Sequence, residues 1–190
     1  MKKLISLGLL LVWTALQHAR ATDWKMDPTG SRLEFAATFE KTPAPGVFKE
    51  FDVRLRFDPQ KASDSRLDVG IRVSSADMGS ADINKAIAGI DWFDFSQHRQ
   101  SEFHATDIRH LQTTPQFSRY IARGTLELKG VQQTVEVPFS WSATGDGANM
   151  DGEFTVKRGA FGIGTGEWAA TDVIGPDVTV KFHVRLRKAP

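Results

Sequence analysis

The chain has 190 residues, with 24 Lys and Arg against 23 Asp and Glu, 13 Phe, 5 Trp, 1 Tyr and no Cys. A charge balance this close to neutral gives no electrostatic reason to expect nucleic acid or an anionic membrane as a partner. The missing cysteines exclude thiolate catalysis, thiolate metal sites and disulfides.

The first 21 residues, MKKLISLGLLLVWTALQHARA, open on Lys2 and Lys3, run apolar from Leu4 to Leu16 and close on Ala19, Arg20 and Ala21. That order predicts a secretory signal peptide over 1–21, export, and a mature domain over 22–190. The apolar run falls short of the roughly 18 residues that a membrane span needs. Its removal takes away Lys2, Lys3 and Arg20, leaving 21 basic against 23 acidic residues, a formal charge of −2. Taking 21 from 190 leaves 169 residues, enough for one domain with a sizeable core.

FEKTPAPGVF places Pro43, Pro45 and Gly46 between apolar strands and reads as a bend or bulged loop at a barrel rim. Next, Phe51, Val53, Leu55 and Phe57 alternate with charged residues, and Leu67, Val69, Ile71 and Val73 repeat the pattern. A period of two marks half-buried strands. Ile83, Ile87 and Ile90 then take helical spacing, with Ser80 as N-cap and Gly89 near the end, which predicts one helix over 81–89 and an aromatic turn after it. ARGTLELKGVQQTVEVPFSW is a hairpin about Lys129 and Gly130, in a register that sets Glu127 against Glu136 on its outer side. Met150, Phe154 and Val156 form another strand, and Val178, Val180, Phe182, Val184 and Leu186 the last.

Between those two strands lies RGAFGIGTGEW, whose Gly162, Gly164 and Gly166 brush against a dinucleotide fingerprint. A phosphate cradle must lead into a helix, and EWAATDVIGPDVTVKF reads as strand and turn. The stretch is therefore read as curved barrel wall, with Phe161 and Ile163 on one face and Gly162 and Gly164 on the other. Short strands with a single helix predict an all-β, closed or nearly closed antiparallel barrel rather than a sandwich.

WKMDPTGSRLEF, GVFKEFDVRLRFDP, DWFDF followed by SEF, GTLELKGVQQTVEVP and RGAFGIG occur in an order that resembles the YceI-like polyisoprenoid-binding family, across nearly the whole mature chain. The resemblance implies an extended lipocalin-like barrel, exported to the periplasm, enclosing a long isoprenoid chain such as a polyprenyl lipid or the tail of a quinone such as ubiquinone. His98 and Arg99 stand where that family commonly has an aromatic residue and a proline, which sets apart the local turn and the opening it borders.

A barrel of about eight strands is just wide enough to be filled by its own side chains or to hold one small ligand. Phenylalanines with almost no hydroxyls suit a long apolar interior. The expected ligand contacts are Phe39, Val47, Phe48 and Phe51 around the bend, Val69, Ile71 and Val73 on the next wall, Ile87, Ile90, Trp92, Phe93 and Phe95 from the helical cap, and Phe161 and Ile163. Trp92 and Phe93 are placed to gate one end. Arg158 is the candidate handle for a head group, with an ion pair to Glu153 or Glu167 as the structural alternative. No catalytic residue, metal or cofactor is assigned beyond the bound lipid or quinone. The partners expected are that ligand, a transient membrane or membrane redox partner and, to cover an edge, a second copy. Two other readings stay open: a filled-core module binding carbohydrate or protein on its surface, and a metal-dependent enzyme using His98, Glu102 and His104.

Overall fold

The computed structural model describes residues 21–189, so the segment read as a signal peptide lies, apart from Ala21, outside the described residues. In chain order the elements are β1 (Thr22–Phe39), β2 (Thr42–Phe48), β3 (Phe51–Phe57), β4 (Arg66–Arg72), β5 (Ala76–Asp77), α1 (Ala81–Ile87), β6 (Gln100–Thr113), β7 (Ser118–Leu128), β8 (Val131–Thr144), β9 (Gly147–Lys157) and β10 (Asp177–Lys188). Antiparallel pairing runs from β1 through β3, β4, β6, β7, β8, β9 and β10 and returns to β1, closing an eight-stranded barrel. β2 continues the line of β3 along β1, and β5 pairs briefly with β2. The end carrying the β7–β8 turn and α1 is termed upper, the end carrying the β8–β9 turn lower.

The alternating segments fold as expected, because each buries one face and wets the other. Segment 42–48 does not: it is a strand, not a loop. Glu40 and Lys41, with φ of 47° and 66°, form a two-residue turn whose twist suits a hairpin. Counting outward from the Phe39–Thr42 pair, Pro43 and Pro45 direct their donor-less nitrogens away from β1, where β5 reaches only Val47 and Phe48. Proline is tolerated in a strand on such an edge.

The β7–β8 turn falls on Lys129 and Gly130, with φ of 52° and 73°. It sets Leu128 against Val131, which pairs Glu127 with Gln132 and Glu136 with Arg123, so the two glutamates do not face each other. α1 ends at Ile87, short of the expected 89, and the Ser80 hydroxyl accepts from the Ile83 amide at its start.

The lower half is solid. Phe57 meets Trp141 at 4.9 Å and Tyr120 at 5.0 Å between ring centroids, and Trp24 meets Trp141 at 5.0 Å, all edge to face. Such pairs contribute about 0.5–1.5 kcal/mol each beyond the area they bury. Leu55, Leu67, Ile108, Met150 and Leu186 are buried around them.

Candidate functional site

Toward the upper end, inward-facing side chains regain accessible surface. Along β10, Val178 and Val180 are half-buried, whereas Phe182, Val184 and Leu186 below them are buried. On β9, Phe154 and Val156 are half-buried above buried Met150 and Ala148. β8 repeats the gradient, with Val131 and Val135 half-buried above Val137, Phe139 and Trp141. Phe51, Val69 and Ile71 do so on the opposite wall. That remaining surface lies on the inward side of the strands and is apolar.

A roof covers the upper end. α1 and the turn after it bring down Ile87 and Phe93, both buried, and Phe93 meets Phe48 at 6.3 Å and stacks on Phe95 at 6.1 Å. Phe48 in turn lies 4.8 Å from Phe35. The rest of the roof is the loop 158–176. The Asp91 carbonyl accepts from the Gly164 amide at 2.7 Å and the Thr165 amide at 3.0 Å. Lys129 Nζ donates to the carbonyls of Ile90 and Gly162, both at 2.7 Å, and Trp92 meets Trp168 at 5.8 Å.

Arg158 organises that loop. Its Nε donates to the Gly175 carbonyl, Nη1 to those of Ile163 and Gly164, and Nη2 to those of Ala170 and Ile174, at 2.8–3.1 Å. The side chain is buried, and burial pushes its pKa down. Five N–H groups on five carbonyls use the whole donor set of a guanidinium. Neither Glu153 nor Glu167 pairs with it; among the described residues no carboxylate lies within ion-pair distance of Arg158. RGAFGIGTGEW is accordingly loop with two 3-10 turns rather than wall. Gly164 has φ of 71°, and a Cβ there would meet the Arg158 Nη1 at 2.1 Å.

The expected contacts divide by position. Phe48, Phe51, Val69 and Ile71 line the upper interior, Val73, Ile87, Phe93, Phe161 and Ile163 are buried, and Trp92 and Phe95 are half-buried in the roof. Val47 lies on the outer face, paired with Glu34 and Asp77, because it has the opposite parity to Phe48. Phe39, 46% exposed, sits at the hairpin tip against Ile174, and Ile90 is 75% exposed. The expected contacts leave out Val135, Phe154, Val156, Val178 and Val180, although the change from valine to aromatic down β8 and β10 was visible in the sequence.

Glu102 and His104 do share the outer face. His104 Nδ1 lies 2.7 Å from Asp68 and Nε2 2.9 Å from Glu102, whereas His98 sits against Gly130. Among the described residues no group of three His, Asp or Glu side chains has the geometry of a metal site. Two outer clefts of about 510 and 450 Å³ cross β1, β9 and β10, with Glu34, Glu153 and Lys181 common to both. The first extends to β2 and β5 and has Phe35, Pro45, Val47 and Met78 in a mostly apolar lining, whereas the second is lined by Arg32, Asp151 and His183 as well.

A family model described as the YceI-like domain matches residues 24–186. The chain belongs to that family. A UPF0312 protein of Pectobacterium atrosepticum is 26% identical over 173 residues, covering 86% of this chain and 88% of its own. The crystal structure of BcnA from Burkholderia cenocepacia is 33% identical, covers 84% of this chain and 98% of its own, and superposes with a TM-score of 0.80. A polyisoprenoid binding domain from Saccharophagus degradans, described as implicated in plant cell wall breakdown, is 13% identical, covers 87% and 98%, and gives 0.68, which is a likeness of fold.

Proposed function

We propose that this YceI-like protein holds a long isoprenoid chain, a polyprenyl lipid or the tail of an isoprenoid quinone, in the upper half of its barrel and carries it unaltered through the periplasm. One observation carries the reading: inward-facing apolar side chains keep accessible surface in the upper half, while the lower half is filled by the protein's own rings. Apolar area needs no directional partner, so contact alone suffices. At about 0.3 kcal/mol per heavy atom, a tail of roughly forty carbons gains on the order of 12 kcal/mol. The Arg158 donors are already engaged, which leaves shape and apolar area to select the ligand. Likeness of fold to the S. degradans polyisoprenoid binding domain supports the same ligand class.

Protein purified from its native compartment without detergent, extracted into organic solvent and analysed by mass spectrometry, is expected to yield a long-chain isoprenoid. Emptied protein is expected to bind added ubiquinone or polyprenol stoichiometrically. Recovery of no such lipid together with no binding of either would overturn the reading.

A further inference from the structure

Resting on that reading of the cavity, we infer that the apolar chain passes in and out sideways, through a split in the barrel wall between β8 and β9, and not through the roof. β8 and β9 pair from Thr144–Gly147 up to Phe139–Gly152 and no further. Above that point β8 stays paired with β7, and β9 with β10. Among the described residues no backbone hydrogen bond joins Val131–Val137 to Glu153–Lys157.

The cause is a single residue. With Leu128 and Val131 flanking a two-residue turn, the odd-numbered residues of β8 bond to β7 and the even-numbered ones face β9. Ser140 pairs with Asp151, and the next bonded pair would be Pro138 with Glu153. Pro138 has no N–H to give, so the ladder stops there. The half-buried side chains of Val135, Phe154 and Val156 then face the cavity from the two banks of the split.

Hydrogen-bond accounting decides between the routes. Lifting the roof breaks the bonds of Asp91 to Gly164 and Thr165, of Lys129 to Ile90 and Gly162, and of the hairpin tip through Glu40 to Val173 and Gly175 to Thr38. The other unpaired edge, on β2, is backed inside by Phe48 packed on Phe35 and Phe93. Spreading β8 from β9 disturbs fewer, the bond from Gln133 Nε2 to the Ala160 carbonyl at 3.3 Å and that from Lys129 Nζ on the β7–β8 turn to the Gly162 carbonyl, above an intact floor.

The native chain has no cysteine, so engineered thiols report cleanly. Extending the Phe139–Gly152 register sets Glu136 opposite Thr155, both exposed on the outer face. Glu136→Cys with Thr155→Cys, tethered by bismaleimidoethane, closes the split. Thr155→Cys with Thr179→Cys, tethered in the same way, crosses the intact β9–β10 seam as control. Uptake of ubiquinone-2 into emptied protein is followed by stopped-flow quenching of tryptophan fluorescence. Tethering the split is expected to slow uptake and release about tenfold or more, with the equilibrium affinity kept, while the control tether changes neither. Unchanged rates with the split tethered would overturn the portal and leave the cavity standing. No quenching in any untethered protein would remove the cavity reading and the portal with it.

Discussion

The ring of Phe182 lies over Gly152 on the neighbouring strand, where a Cβ would stand 2.3 Å from the Phe182 Cζ and 2.5 Å from the Pro138 carbonyl oxygen. This contact caps the solid lower half and would floor the proposed cavity. Gly152→Ala must push the ring or the backbone aside and is expected to cost about 1–3 kcal/mol, read from the midpoint of guanidinium unfolding. An unchanged midpoint would show that the ring is not packed there.

The same substitution should act oppositely on two neighbours of β10. Val180 is half-buried on the inward face of the upper half and Val184 is 1% exposed among the lower rings. Val180→Trp is expected to fill the cavity, abolish quinone binding and leave stability within about 1 kcal/mol. Val184→Trp should overpack the floor and lose about 3 kcal/mol. Retained binding in the first variant would argue against the cavity.

Arg158 holds five carbonyls that have no other source of five donors. Arg158→Met leaves them unpaired and is expected to cost about 3 kcal/mol, with faster amide exchange concentrated in 163–175. Arg158→Lys should recover little of this, since an ammonium lacks the planar fork. Full rescue by lysine would mean that charge alone matters.

Backbone protection should alternate along the split. The amides of Thr134, Glu136, Glu153 and Thr155 face across it, while those of Val135, Val137, Phe154 and Val156 bond to β7 or β10. Hydrogen exchange is expected to be at least about tenfold faster at the first set. Pro138→Val returns a donor to the Glu153 carbonyl, and the new amide at position 138 should be protected. Uniform protection in the native protein would contradict a split.

His104 gives a small pH dependence. Hydrogen bonds to Asp68 and then Glu102 hold its pKa above the ordinary value. For Asp68, burial pushes the pKa up, but the bonds from Arg66 and His104 outweigh it and hold the carboxyl below its usual range. A raised histidine stabilises fully below its unfolded value, near 6.5, and loses that contribution as pH rises through the folded value. A depressed aspartate stabilises above its unfolded value, near 3.9, and loses this as pH falls. Stability should therefore decline by less than about 1 kcal/mol from pH 5.5 to 8.5, since the ring is half exposed. His104→Gln should flatten the decline, and an identical slope in the variant would assign it elsewhere.

Most of the barrel was legible because β3, β4, β8, β9 and β10 alternate without interruption, and Ser80 announces the helix. Segment 42–48 was not, since Pro43 and Pro45 carry a loop signature and only the pairing of β2 shows their nitrogens on a bare edge. Nor was the role of Arg158: its acceptors are main-chain carbonyls as far away as Gly175, and a carbonyl leaves no mark in a sequence. Of the expected contacts, strand parity places Phe48, Phe51, Val69 and Ile71 on the inward side, whereas one position of parity puts Val47 on the outer face and the early end of α1 leaves Ile90 exposed.

The two prolines of β2 bear on how copies of the molecule meet. An edge lacking donors at Pro43 and Pro45 offers a neighbour carbonyls but no matching N–H groups, so intermolecular sheet growth cannot be seeded along it. Crowded solutions of this protein are thereby guarded against fibril-like stacking at a place where an unbroken strand would have invited it.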